Sequence, residues 1–451
     1  MTSTVILILS LTFVAGCYLA LCFVNLSLAA ALFCGLLPTY LYRFALPALP
    51  GLLPFRLPMT FLEILFLELL LGCLLDKGVR SRIGETLRRW AYPLLLLVVA
   101  AVISTAVSPD TRAALGLLRA YIVEPLLFFL IFPAAVTDAR YRRLALGALG
   151  VSLAVVGVAC VYQKITGYAI PFIWRDEPGR RVTAFYGFPN AVGLFAAPVA
   201  ALMAAWAVAL AWKSKGATRL FAALPAAAAV LGALAVVFAV SEGAAIGLAA
   251  GVLAFGLFWK PIRVAGLTAV IIGCMAVMVL PPLRDYVSYK ADLRDDSGSV
   301  RVIVWSESLH MLAEHPVFGA GLSGYPLTLT PYHKADWIEI FQYPHDFILN
   351  FWTELGLIGL IGFLWALTIF FKDNISAVRR HPEEWLPSAL LAAMTALLVH
   401  GLVDVPYFKN DLAFLFWIIV GLGDSVRRQM AERQKPRKEP RPKEEDYVQT
   451  E

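Results

Sequence analysis

Charge is scarce in this chain. Of its 451 residues, 16% are Asp, Glu, Lys or Arg and 60% are apolar, with a mean hydropathy of +0.73. Soluble domains carry about 25% charged and about 45–50% apolar residues. A water-soluble multidomain enzyme, a disordered chain and a collagen-like chain are therefore excluded. Hydrophilic cysteine is missing: Cys17, Cys22, Cys34, Cys73, Cys160 and Cys274 all lie within apolar stretches. That excludes a disulfide framework and a CxxC or Cys/His zinc cluster. No Lys or Arg precedes Val14-Ala15-Gly16-Cys17. The lipoprotein-like box thus lacks the positive region that a signal peptide needs, and the first apolar run is expected to remain as a span. The +6 net charge comes from short loops and one tail, so no nucleic-acid partner is expected.

Long apolar runs are what the chain has. A helix needs about 20 apolar residues to cross a bilayer. Runs of that order fall near 4–24, 27–43, 59–75, 90–107, 114–136, 144–165, 188–212, 219–241, 243–259, 263–283, 347–371, 386–406 and 411–426. The pattern predicts an all-α polytopic membrane protein of about 12–13 transmembrane helices. Residues 1–283 form the N-terminal helices, 284–345 one large loop, 346–426 the C-terminal helices and 427–451 a disordered tail. Loops 76–90, 137–143, 212–219, 259–263, 372–381 and the tail hold 24 Lys and Arg, against 12 in the alternate set. The positive-inside rule puts the tail in the cytoplasm and loop 284–345 on the opposite, periplasmic face. The tail's basic residues are also expected to meet anionic membrane lipids.

Within the large loop, Val300 to His315 reads as a helix capped by Ser297 or Ser299 and ended by Pro316. Arg301, Trp305, Ser308 and Leu312 share one face of it. Ionisable residues inside spans are expensive and are paired or functional. Here they are Glu63 and Glu68, Arg119 and Glu124, Glu242, Glu354, and the pair His400 and Asp404 near the outer end of a late span. Asp404 is a candidate for orienting a base or binding a sugar hydroxyl.

The segment from Arg301 to Phe371 resembles the core of the O-antigen ligase and polymerase superfamily. The carrying residues are Arg301-Val-Ile-Val-Trp305, Pro316-Val-Phe-Gly319-Ala-Gly321-Leu-Ser-Gly324 and His345-Asp346. The ligase signature is His, a small polar residue, nine others, Gly, two others and Gly. His345, Asp346, Gly356 and Gly359 fit it, although Asp346 stands where the pattern prefers Asn, Ser or Gln. Upstream, Arg181 to Asn190 resembles a loop that opens another span in the family. Ser241-Glu242-Gly243 stands where many members show Ser-Arg-Gly. The resemblance implies a GT-C-like, metal-independent glycosyltransferase of the bacterial inner membrane that needs no cofactor. Its donor would be a glycan on undecaprenyl diphosphate. Its acceptor would be lipid A–core in a ligase, or another glycan in a polymerase.

That chemistry asks for a base and for cations. Histidine titrates near working pH. Pro344 favours a turn before a helix, Asp346 is a natural N-cap, and His345 then sits at a positive helix end, which keeps its ring neutral. A leaving diphosphate needs the planar fork of arginine. The outer loops supply Arg175, Arg180, Arg181, Arg284, Arg294 and Arg301, with Arg181 and Arg301 foremost. Catalytic candidates are thus His345 and Asp404. Substrate-binding candidates are Arg181, Arg301, Arg180, Arg284 and Trp305. Residues 43–58 hold no Asp or Glu, which speaks against an aspartate–metal oligosaccharyltransferase. A lipid-glycan transporter is the non-enzyme rival, but the sequence shows no pair of matching halves.

Overall fold

The structure is a computed structural model that describes residues 2–46, 57–176, 179–293 and 295–433. The chain starts with α1 (Thr2–Val24) and the short α2 (Leu26–Phe33). Asn25 separates them, its side chain accepting from the Leu28 N–H. The apolar run at 27–43 is accordingly not one span. It breaks at Phe33, passes through a 3₁₀ turn at Leu37–Leu41, and pairs Arg43–Leu46 antiparallel with Leu57–Thr60. Pro38 and the Thr39 side chain, bonded to the Leu36 carbonyl, favour that turn over a continued helix.

Next come α3 (Phe61–Leu75), α4 (Lys77–Val107), α5 (Thr111–Leu117), α6 (Glu124–Ala135) and α7 (Ala139–Thr166). Thr60 and Glu63 form a reciprocal capping box at the start of α3. Glu63 also pairs with Arg119 at 3.2 Å, and Arg119 reaches Glu124 at 3.5 Å. The charges inside these spans therefore join α3 to the π-helical turn Leu118–Val123.

After the short α8 (Phe172–Arg175), the bundle continues with α9 (Pro189–Lys213), α10 (Ala223–Phe238), α11 (Glu242–Phe258) and α12 (Arg263–Val279). The large loop contributes α13 (Pro281–Ala291), α14 (Asp296–Glu314) and α15 (Tyr325–Leu329). The last helices are α16 (Phe347–Arg380), α17 (Leu386–Gly401) and α18 (Asn410–Arg433). Among the described residues, eight helical stretches are long and apolar enough to cross a membrane, and α11 and α17 are shorter apolar helices. The chain is an all-α multi-pass membrane protein.

Two boundaries differ from the sequence reading. The loop helix starts at Asp296, so Ser297 and Ser299 lie inside its first turn; the Ser299 hydroxyl donates to the Asp296 carbonyl. Helix α18 runs through Arg427 to Arg433, so the boundary drawn at 427 falls within a helix. Arg427 and Arg428 bind Asp424 one turn back at 3.0 and 2.8 Å, and this keeps the last turns helical. Residues 434–451 of the expected tail, and Arg294, lie outside the described residues.

Helix α18 is the hub. Every residue from Asn410 to Val426 is buried, as expected of a helix that is apolar all round. Around its C-terminal end lie basic side chains of helices far apart in sequence. Arg428 donates to Thr86 and to the Arg82 carbonyl, Arg142 to Ser425 and Gln429, and Arg89 pairs with Asp373. The other end of α18 follows the segment that holds Asp404.

Candidate active site

The site grows from a broken helix. Gly356 interrupts α16 with φ 66° and ψ −177°, a conformation that only glycine adopts without strain. Backbone freed by a break inside a membrane helix has to find partners in the protein. Here the glycine-rich turn supplies them. The Ala320 N–H donates to the Thr353 carbonyl (2.7 Å), and the Leu357 N–H donates to the Val317 carbonyl (2.9 Å). A Cβ on Gly356 would lie 2.3 Å from the Val317 oxygen, and one on Gly319 (φ 64°) 2.4 Å from the Thr353 oxygen. A Cβ on Gly359 would lie 2.3 Å from the Leu355 Cβ. Both glycines of the signature are therefore backbone requirements of the break.

Side chains complete the joint. Glu354, buried, accepts from the Ser323 N–H at 2.7 Å, and the Trp352 indole N–H donates to the Pro316 carbonyl at 2.7 Å.

The first half of α16 starts where the signature begins. Asp346 is its N-cap, accepting from the Leu349 N–H at 2.8 Å, and burial raises the Asp346 carboxyl above its ordinary value. His345 precedes it with φ +54°. A positive φ is uncommon outside glycine, although histidine, like Asn and Asp, adopts it more readily than other residues, and the surroundings favour it here. The surroundings are visible. The Trp305 indole N–H of α14 donates to the Pro344 carbonyl (2.9 Å). The rings of Phe341 and Tyr343 stand edge-on to the imidazole at 5.0 and 4.9 Å.

His345 Nδ1 faces the Asp404 carboxylate at 3.6 Å, leaving Nε2 on the opposite edge of the ring. Asp404 lies in the turn just after α17 and is only 2% exposed. Burial works to raise its carboxyl; His345, His400 and the Val405 N–H (2.8 Å) outweigh burial and hold it at about 2. It is a fixed anion. The Tyr343 hydroxyl is pushed well above its ordinary value, by burial first and then by Asp404, so it remains a proton donor.

Arg301 joins this group from α14. Its Nε donates to the Val403 carbonyl (2.9 Å), one residue from Asp404, and its Nη1 to Ser297 Oγ (2.5 Å). His400, 2% exposed, packs beside Gly243 near the start of α11. Arg181 approaches the same helix start. It donates to the Ala239 and Val240 carbonyls that end α10 and to Asn190, and lies 4.9 Å over the Trp174 ring. Glu242 pairs with Lys290 of α13 at 2.7 Å.

The structure thus brings His345, Asp404, Arg301 and Trp305 into one group, with Arg181 on the neighbouring helix end. Trp305 spends its donor on the backbone beside His345. Arg180 and Arg284 join no member of this group. Arg180 donates to the Lys164 carbonyl and packs on Gly167, while Arg284 is exposed and pairs with Asp285 on its own helix. Tyr343, Phe341 and Lys290 were not singled out from sequence. Only the spacing of His400 and Asp404 signalled a pair. Among the described residues no group of three or more His, Cys, Asp or Glu is placed to hold a metal ion.

No curated protein matches the chain. Residues 227–364 match the family model described as O-antigen ligase. The matched stretch holds Glu242, Arg301, Trp305, His345, Gly356 and Gly359, and stops before Asp404. That stretch, under a third of the chain, is therefore similar to the O-antigen ligase family.

Proposed function

We propose that this protein is a membrane glycosyltransferase that moves a glycan from undecaprenyl diphosphate to an acceptor hydroxyl at the periplasmic face of the bacterial inner membrane. The acceptor in this reading is lipid A–core, as in a ligase. The observation that carries it is His345, its Nδ1 turned to the buried anion of Asp404 at 3.6 Å and its Nε2 edge away from it. In this reading the Nδ1 edge, 3.6 Å from the Asp404 carboxylate, carries the proton, and Nε2 has a lone pair for the acceptor O–H. The acceptor oxygen then bonds to the anomeric carbon, the carbon–oxygen bond to the diphosphate breaks, and undecaprenyl diphosphate leaves with the charge. Arg301 sits beside the anion as a permanent cation, and among the described residues nothing takes its Nη2. Arg181 lies on the adjoining helix end. The basic end of α18 faces the cytoplasm in this reading, which puts His345 outside.

A polymerase would use the same base and cations, with a glycan as acceptor. Deleting the gene separates the two. Loss of the ligase leaves long lipid-linked chains that never reach lipid A–core, and this is the expected result. Loss of a polymerase leaves an acceptor capped by a single repeat. Transfer by the purified enzyme is expected to survive EDTA, because the proposed roles fall on His345, Asp404 and arginines. Activity lost to EDTA and restored by Mg²⁺ or Mn²⁺ overturns the reading.

A further inference from the structure

Helix α14 has a second working face. One face carries Arg301 and Trp305 to the His345 turn. The neighbouring face, through Val302, Ser306, His310 and Ala313, lines a groove of about 1070 Å³. Pro331, Tyr332, Lys334 and Trp337 form the opposite wall. The walls are tied together. Glu307 accepts from the Lys334 N–H (2.9 Å) and meets His333 Nδ1 (2.9 Å), while Glu314 accepts from the Tyr332 hydroxyl (2.6 Å). The groove is thus held in shape by hydrogen bonds before any ligand arrives, which lowers the ordering cost of binding.

Its lining selects an occupant. Trp337 is 70% exposed, a large apolar plane left in water at a cost unless something covers it. Around it stand a hydroxyl, an imidazole, an ammonium and two carboxylates that already belong to the wall. Both signs of charge are present, so a diphosphate meets repulsion and an apolar helix meets unpaired polar groups. A neutral sugar chain fits. The C–H face of a pyranose stacks on indole, and its hydroxyls pair with donors and acceptors alike. The volume is at the upper end of ligand pockets, which run to about 300–1,000 Å³, and suits an extended occupant.

Position names which sugar chain. The groove begins at Val302, next to Arg301, and follows α14 to Glu314. If Arg301 holds the donor diphosphate, the donor's glycan departs from that point. We propose that the groove is a subsite for the neutral glycan of the lipid-linked donor, several sugars away from the reacting carbon. This rests on the function proposed above.

The test compares transfer by full-length protein in nanodiscs from a donor carrying one repeat and from a donor carrying many. Trp337→Ala and Ser306→Trp alter exposed residues, the second filling the groove. Each is expected to raise KM for the long donor at least tenfold while leaving the short donor unchanged. Binding of maltohexaose and chitohexaose, followed by saturation-transfer NMR, is expected for the wild type and reduced in both variants. His345→Ala should bind these oligosaccharides as the wild type does while transferring from neither donor. Normal transfer by His345→Ala sinks the proposed function and leaves the groove to be judged on binding. Wild-type KM for the long donor in both groove variants, equal losses on both donors, a change in acceptor KM alone, or no oligosaccharide binding by the wild type each overturns the subsite.

Discussion

His345 Nδ1 and Asp404 Oδ1 face each other at 3.6 Å across two loops, one before α16 and one after α17. Neither loop holds the pair by itself. Trp305 and Arg301 of α14 bind the backbone next to each partner, at Pro344 and Val403. One helix of the large loop therefore sets the separation between the candidate base and its anion.

Loss of either member should be felt in the rate. General-base catalysis contributes about 10²–10⁴-fold, so His345→Ala should reduce transfer by that order while the protein still reaches the membrane. Asp404→Asn keeps shape but removes the charge held at about 2. It should lower the rate by roughly 10- to 100-fold, the worth of about 1.5–3 kcal/mol for a charge-assisted contact. Wild-type rates in both variants remove the pair from the mechanism.

Arginines should separate by position. Arg301→Ala should weaken donor use by roughly 10- to 100-fold, and Arg301→Lys should restore only part of it, because the ammonium lacks the fork. Arg284→Ala should change transfer less than about twofold, since among the described residues this exposed group pairs along its own helix with Asp285. Donor KM in a purified assay checks both. A large loss from Arg284→Ala would place the diphosphate on α13 instead.

Gly356→Ala tests the break in α16. The substitution demands a left-handed alanine and sets its Cβ against the Val317 oxygen. Conformation alone should cost about 1–3 kcal/mol, read as a lower midpoint of thermal unfolding in detergent. Gly147→Ala in α7 is the contrast, because a Cβ there meets nothing within 4 Å; it should leave stability equal or raise it by up to about 1 kcal/mol. Equal midpoints for the two variants contradict the role given to Gly356.

The wall of the groove should respond to pH. The hydrogen bond to Glu307 raises His333 above 6.5, mainly through that bond. Burial pushes Glu307 upward, but the Lys334 N–H and His333 outweigh it and bring Glu307 below 4.5. A raised histidine contributes stability that is full below its unfolded value and is lost as pH rises through the folded value. A lowered glutamate contributes stability that is full above its unfolded value and is lost as pH falls through the folded value. Segment 331–338 should then be best protected between about pH 4.5 and 6.5. Amide hydrogen exchange, corrected for intrinsic rates, checks this; protection that keeps rising above pH 8 contradicts it.

Composition and long apolar runs alone determined that the chain is a helical membrane protein, because burying so little charge and so much apolar surface has few solutions. The spacing of His345, Asp346, Gly356 and Gly359 was legible through the resemblance, and Asp346 as a cap is a local demand; the break at Gly356, inside a run read as one span, was not. The stop at Phe33 was not, because hydropathy counts apolar residues and does not see the 3₁₀ turn that follows. Nor was the order within α18 past Arg427, where ion pairs to Asp424 outweigh a polar composition.

Tertiary structure decided which ionisable groups meet. The sequence offered His345 and Asp404 as separate candidates and six arginines, with Arg181 and Arg301 foremost. Long-range packing put Arg301 beside Asp404, turned Arg181 onto the end of α10, and left Arg180 and Arg284 elsewhere. It also gave α14 two faces, one toward the base and one toward a groove. No local pattern encodes such meetings, because they depend on where distant helices end.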